Sequence, residues 1–252
     1  MLAALPASAE TRSSPGWVAD PATGCRVWSD NPQPGESIAW SGPCEDGIAQ
    51  GRGVLQWSGA EFDWRYEGEI HDGKVTGEGS EIFASGGRYD GEFRDGLRNG
   101  HGVYIYASGD RYDGEWRDGK AEGHGVKIYA SGNSYDGTFH DGHYDGQGVF
   151  TWSNGSRYVG MFVDDAPNGR GVYTWPKGDR YEGEFRRGQR AGHGVATFSN
   201  GTRYDGEWRN GTPNGAGVYV VGHERFNGTW TNGCFKEGGR RAFVAVAAAA
   251  CR

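Results

Sequence analysis

The 252-residue chain carries a net charge of −7, with 47 Gly, 10 Trp and 13% aromatic residues but only 35% hydrophobic residues. A mildly acidic balance excludes a nucleic-acid backbone binder, which needs a clustered Lys/Arg surface. Aromatic residues placed in register exclude a disordered chain, and the most apolar run, Ala242 to Cys251, is about half the ~20 residues that a membrane-spanning helix requires.

At the N-terminus, Met1 to Ala9 reads as the tail of a secretory signal peptide or as a plain Ala-rich tail, with Ala7-Ser8-Ala9 as a small-residue cleavage site before Glu10. Residues 1–23 are therefore expected to be a signal remnant or a disordered segment. Residues 24–39 read as an N-terminal cap whose Asn31-Pro32-Gln33-Pro34-Gly35 makes a rigid loop. Trp40 opens a first, degenerate repeat with Gly42, Gly47, Gly51, Gly53 and Trp57, and a three-residue insertion around Ala60 to Asp63 separates it from the next copy.

Seven tyrosines then follow, Tyr66, Tyr89, Tyr112, Tyr135, Tyr158, Tyr181 and Tyr204, each 23 residues from the last. A period in this range means stacked supersecondary units. Within one copy, Tyr89, Gly91 and Phe93 alternate with Asp90, Glu92 and Arg94, the period-2 pattern of a strand with one apolar face. Asp95-Gly96 and Asn99-Gly100 supply turn residues, and Val103-Tyr104-Ile105-Tyr106 supplies a second, β-rich strand. Each copy is predicted to be a β-hairpin. The predicted core combines the tyrosines with the residue four later (Ile70, Phe93, Trp116, Phe139, Phe162, Phe185, Trp208) and with the residue seventeen later (Phe83, Tyr106, Tyr129, Trp152, Trp175, Phe198, Val221), and a further column of valines recurs fourteen later (such as Val103 and Val172). A truncated copy, Phe226-Asn227-Gly228-Thr229-Trp230, brings the number of units to about nine over residues 40–233, and residues 234–252 form a C-terminal cap. The predicted fold is an all-β, elongated, twisted antiparallel solenoid of hairpins without notable helices.

The other face of the first strand carries a charge ladder. Arg65, Arg88, Arg111, Arg157, Arg180 and Arg203 precede the tyrosines, and carboxylates such as Glu67, Asp90, Asp136 and Asp205 follow them. Such pairs are solvated and worth a few tenths of a kcal/mol each. The fifth copy departs from this: Val159, Met161 and Val163 replace the charged residues, and Asp164-Asp165-Ala166-Pro167 replaces the usual Asp-Gly turn. These three residues are the candidate contact strip, because a contiguous apolar patch on a charged face marks contact more often than accident; packing against the twisted sheet that buries the strip is the alternative.

The repeats YxGxxxxGxxxGxGxxxxxxG over residues 40–234 resemble the MORN (membrane occupation and recognition nexus) family. The resemblance implies a sheet of stacked hairpins and roles in scaffolding, protein contact and, in some members, phospholipid binding. The stretch from Gly24-Cys25-Arg26-Val27-Trp28 through Trp40-Ser41-Gly42-Pro43-Cys44 further resembles the N-terminal cap of exported bacterial MORN-repeat proteins. Four cysteines allow three pairings. A rod of about nine units, two strands each at roughly 4.8 Å, keeps its ends apart, so Cys25–Cys44 and Cys234–Cys251 are the expected disulfides, and with them a periplasmic or extracellular location.

No catalytic, cofactor or metal site is expected. His101, His124 and His193 share a repeat position that elsewhere holds Glu78, Gln147 or Arg170, as an exposed position does, and His140 and His143 lack a third placed ligand. The serines recur in register as turn residues, with no nucleophile elbow or phosphate loop. The expected function is a non-enzymatic scaffold presenting its repeat surface to a protein partner. Phospholipid binding is disfavoured by the charge balance, and glycan binding along aromatic rings requires those rings to be exposed.

Overall fold

The computed structural model describes residues 15–59 and 63–251; the signal-like Ala7-Ser8-Ala9 and residues 60–62 of the insertion lie outside them. The described chain is all-β, with no α-helix and one 3-10 turn at Ala248–Cys251. Its described residues divide into two compact units, one comprising those up to residue 108 with 116–119 and the other those of 109–115 with those from 120 onward.

In the first unit, the strands Ser37–Trp40, Gly51–Ser58, Asp63–His71, Lys74–Phe83, Arg88–Arg94 and Leu97–Ile105 pair antiparallel in sequence order. A separate small sheet joins Gly16–Ala19, Arg26–Ser29, Ile48–Ala49 and Cys44–Glu45. Its first strand falls inside the segment 1–23 expected to be a remnant or disordered. There Val18 is buried and Trp17 packs edge-on against Trp28 at 5.3 Å, contacts that hold the strand in place. Trp40 substitutes for tyrosine as the repeat pattern suggested: a side chain on Gly42 or Gly53 would run into its indole.

In the second unit, the strands from Lys120–Ile128 to Arg240–Phe243 pair in the same sequential antiparallel way. Cys234–Glu237 and Arg240–Phe243 form a final hairpin within the stretch read as a C-terminal cap.

One local device recurs in every full repeat. The tyrosine ring lies across a pair of facing glycines, such as Gly160 opposite Gly171, where any Cβ would collide with it. The register slips just beyond this pair, between Gly160 and Phe162, forming a bulge. The tyrosine hydroxyl donates to the carbonyl of the residue at the bulge: Tyr89 to Glu92, Tyr135 to Thr138, Tyr158 to Met161 and Tyr181 to Glu184, at 2.9–3.0 Å. A buried carbonyl freed from the ladder needs such a donor. Burial pushes the Tyr66 and Tyr158 phenols up to about 12, so the hydroxyls remain donors at neutral pH.

The core is the tyrosine column and the column four residues later. All seven tyrosines are at most 1% exposed, and the rings meet edge to face, as in Tyr158 with Phe162 at 5.1 Å and with Phe185 at 5.0 Å. Each such contact adds about 0.5–1.5 kcal/mol beyond the burial of area. Where the second residue is Trp, its indole N–H donates to a glycine carbonyl of the preceding repeat: Trp116 to Gly102 at 3.0 Å and Trp208 to Gly194 at 2.9 Å.

The valine column does not belong to this core. Gly102 sits opposite Gly91, so Val103 sits opposite Asp90 and shares the charged face, while Tyr104 sits opposite Tyr89. The ring column on the inner face of the second strand is therefore fifteen residues after the tyrosine, as in Tyr104, Phe150, Tyr173 and Tyr219. Of the residues seventeen after the tyrosine, Phe83 and Val221 close their strands and the others stand just beyond the strand ends. Trp175, expected in the core, is only half-buried: it follows the strand Ala166–Thr174, opens a turn closed by Asp179, and tilts against Tyr173 at 4.4 Å.

Candidate functional site

The outer face of the sheet is built from residues that alternate with the tyrosines, so in the second unit, from Tyr135 onward, the residue following the tyrosine lies between two valines of neighbouring strands, whereas Glu67 and Asp90 of the first unit each have Ser80 on one side. Asp136 faces Val126 and Val149, and Asp205 faces Val195 and Val218. Elsewhere the acid is held by the arginine two residues before it: Arg88 to Asp90 at 2.6 Å, Arg111 to Asp113 at 2.6 Å and Arg203 to Asp205 at 2.7 Å. At the fifth copy the acid is Val159, which faces Val149 on one strand and Val172 on the other. Three valines thus become direct neighbours across three strands. Arg157, whose counterparts pair with that acid, has no ion-pair partner among the described residues.

Val159, Val172 and Val195 line an open groove of about 500 Å³, with Glu182 between Val172 and Val195 in the same row and with Gln147, Arg170, Glu184 and His193 completing the polar lining. Arg180 holds Glu182 at 2.6 Å and Asp205 holds His193 at 3.1 Å, and Arg170 stands opposite Glu184 across the strands. The strip Val159, Met161 and Val163 is split by its neighbours. Val159 is half-buried in the valine row, Met161 faces Gln147, and Val163 stands at the hairpin end opposite Ala166 with 42% of its surface exposed. The apolar surface therefore runs across the strands as well as along one of them. In the first unit, the corresponding face holds a groove of about 620 Å³ lined by Arg52, Arg65, Glu67, Glu78, Arg88 and Asp90, with Ile82 as its large apolar residue.

On the inner face, Tyr112 and Trp116 are buried and offer no ring surface to a ligand, whereas Tyr129 and Trp152 are half-buried. Trp152 packs tilted against Phe150 at 4.6 Å and Tyr173 at 5.2 Å, so these rings are engaged with one another. The sequence reading missed a cation inside this layer. Arg98, nine residues after Tyr89, lies within 5.5 Å of the rings of Phe83, Tyr89, Tyr104 and Trp116 and pairs with Glu81 at 2.8 Å. Its signal in the sequence is an arginine where other copies place Val75, Ala121, Tyr144, Pro167 or Pro213.

The cysteines form the pairs Cys25–Cys44 and Cys234–Cys251, with Cα separations of 5.9 and 5.5 Å. His140 and His143 bond to different carboxylates, Glu122 at 3.2 Å and Asp165 at 2.7 Å, and the Asp165 partner raises the His143 pKa. Among the described residues no three His, Cys, Asp or Glu side chains gather as a metal site.

The profile of the MORN repeat matches residues 45–59, 66–88, 89–111, 112–134, 135–157, 158–180, 181–203 and 204–220. No curated protein matches the chain. Similar solved structures include the TCP10c domain of Drosophila melanogaster Sas-4, with 15% identity, a TM-score of 0.35 and coverage of 58% of this chain and 89% of that one. The SAS-4 TCP domain of Drosophila melanogaster in complex with a proline-rich motif of Ana2 has 14% identity and a TM-score of 0.35, covering 81% and 99% respectively. The TCP10 domain of Danio rerio CPAP has 16% identity and a TM-score of 0.24, covering 62% and 83%. Likenesses this distant carry nothing about function.

Proposed function

The chain belongs to the MORN-repeat family, and on that premise we propose that it is a non-catalytic binding scaffold that takes an extended segment of a protein partner in the valine-lined groove of its second unit. The observation that supports this is the replacement of a ladder carboxylate by Val159, which joins Val149 and Val172 into an apolar row, and Val159 and Val172 of that row line the groove where other copies carry an acid. Removing such a row from water yields roughly 25 cal/mol per Å² of apolar area. The charged residues that line the groove set orientation more than affinity. An extended segment with apolar side chains on one face fits an open, shallow groove of about 500 Å³ better than a compact ligand does.

The two disulfides favour an oxidising compartment, and we place the protein in the periplasm or outside the cell as an exported member of the family. Phospholipid binding is the weaker reading for the chain as a whole, given its net charge of −7. Sugar stacking is weaker still, because the glycine-paired rings are buried.

The test is Val159→Asp. Asp136 and Asp205 hold the same position between two valines, so the fold accommodates the change. Partners captured from envelope extract by the wild type should be lost from this variant while its melting temperature stays put. Undiminished capture by the variant would remove the groove from consideration.

A further inference from the structure

The hairpin turns of this protein carry a residue with positive φ just before the turn glycine, and that residue is normally an acid: Asp72, Asp95, Asp118 and Asp141 adopt φ of 49–51°. At the sixth regular copy the residue is Arg187, held at φ 48°. A long side chain forced into the left-handed region costs about 1–2 kcal/mol relative to glycine, so this arginine is placed against local preference. The next turn carries Asn210 at φ 48°, so two successive turns lack the carboxylate.

A pocket of about 450 Å³ opens beside these turns, lined by Arg186, Arg187, Arg190 and Arg209 together with Trp208 and Asn210. No carboxylate lines it, and none of the four arginines makes an ion pair among the described residues. The ladder acids Glu184 and Glu207 stand two residues before Arg186 and Arg209 but make no ion pair with them, and the turn acid that pairs with Arg94 elsewhere, Asp118, is replaced here by Asn210.

Arg190 shows most directly that the positive charge is left open. It occupies the same repeat position as Arg98, and it is likewise stacked on rings, 4.4 Å from Trp208 and 5.7 Å from Tyr181. The counter-charge is what differs. Arg98 has Glu81, seventeen residues earlier; the residue seventeen before Arg190 is Tyr173. Arg190 instead donates to the Gly211 carbonyl at 2.5 Å. Two related copies hold the same half-buried guanidinium, one neutralised within the fold and one not.

We infer that the pocket formed by Arg186, Arg187, Arg190 and Arg209 binds a phosphate group. Four guanidinium groups present more donors than one carboxylate has oxygens to accept, whereas a phosphate dianion has oxygens and charge for several forked contacts. The stacking of Arg190 on Trp208 fixes that guanidinium before the ligand arrives, which lowers the ordering cost of binding. This site is separate from the valine-lined groove and does not depend on it.

The experiment is calorimetric titration of the whole protein with inorganic pyrophosphate at low salt, alongside co-sedimentation with phosphatidylglycerol vesicles and an acetate titration. Arg187→Asp restores the residue that Asp95 and Asp118 place at the same φ, so the fold is kept while the charge is reversed; Arg209→Gln is the second variant. Saturable pyrophosphate binding below millimolar, weakened at least tenfold in both variants, supports a soluble phosphate ligand. Vesicle binding lost in Arg187→Asp, without pyrophosphate binding, supports the same site with a lipid headgroup as the source. The assignment is overturned if wild type binds neither, if acetate binds as well as pyrophosphate, or if both variants bind like wild type.

Discussion

Gly171→Ala isolates the packing device on which the repeats rest. Gly171 has no positive φ, so alanine incurs no backbone strain there. The added Cβ would lie 2.6 Å from two ring carbons of Tyr158 and closer still to its hydroxyl. Tyr158 is fully buried and cannot swing into solvent. Overpacking of this kind costs about 1–3 kcal/mol. Moving the ring also breaks the 3.0 Å bond from the Tyr158 hydroxyl to the Met161 carbonyl, and leaving that buried acceptor unpaired adds about 1–3 kcal/mol. The expected loss is therefore about 3 kcal/mol or more. Gly178→Ala is the comparison: its φ is 91° with nothing within 4 Å of a new Cβ, so only the backbone term of about 1 kcal/mol applies. Urea unfolding followed by tryptophan fluorescence reads both. If Gly171→Ala costs no more than Gly178→Ala, the tyrosine-on-glycine contact is not what holds the hairpins together.

Two further outcomes are expected. Trp116→Ala should lose about 3–5 kcal/mol, because it removes a buried ring and its bond to the Gly102 carbonyl, whereas Arg117→Ala on the exposed side of the same strand should stay within about 0.5 kcal/mol; equal losses in thermal melts would mean that the two faces are assigned the wrong way round. Non-reducing peptide mapping of protein taken from its native compartment should recover Cys25 with Cys44 and Cys234 with Cys251, and four free thiols there would refute the proposed export.

The hairpin repeat, its first-strand core and the charge ladder were legible in the chain because they follow from strict periodicity: a period of 2 within the strand fixes which residues share a face, and a period of 23 fixes the stacking. Tyr66 to Tyr204 and Trp116 and Trp208 are buried for that reason. The second strand was not readable in the same way. A bulge near Gly100 shifts its register against the first strand, so Val103 turns out with Asp90 and Tyr104 turns in with Tyr89, and a slip of one residue exchanges the faces of everything after it. That shift puts the valine column on the outer face, and it is why the Val159 replacement produces a row with Val149 and Val172 and not an isolated apolar residue. The arginine pocket also needed the tertiary structure. Arg186, Arg187 and Arg190 are near each other in sequence, but Arg209 joins them only because successive hairpin turns stack, and the missing counter-charge of Arg190 shows only beside Arg98, whose Glu81 reaches it across the sheet.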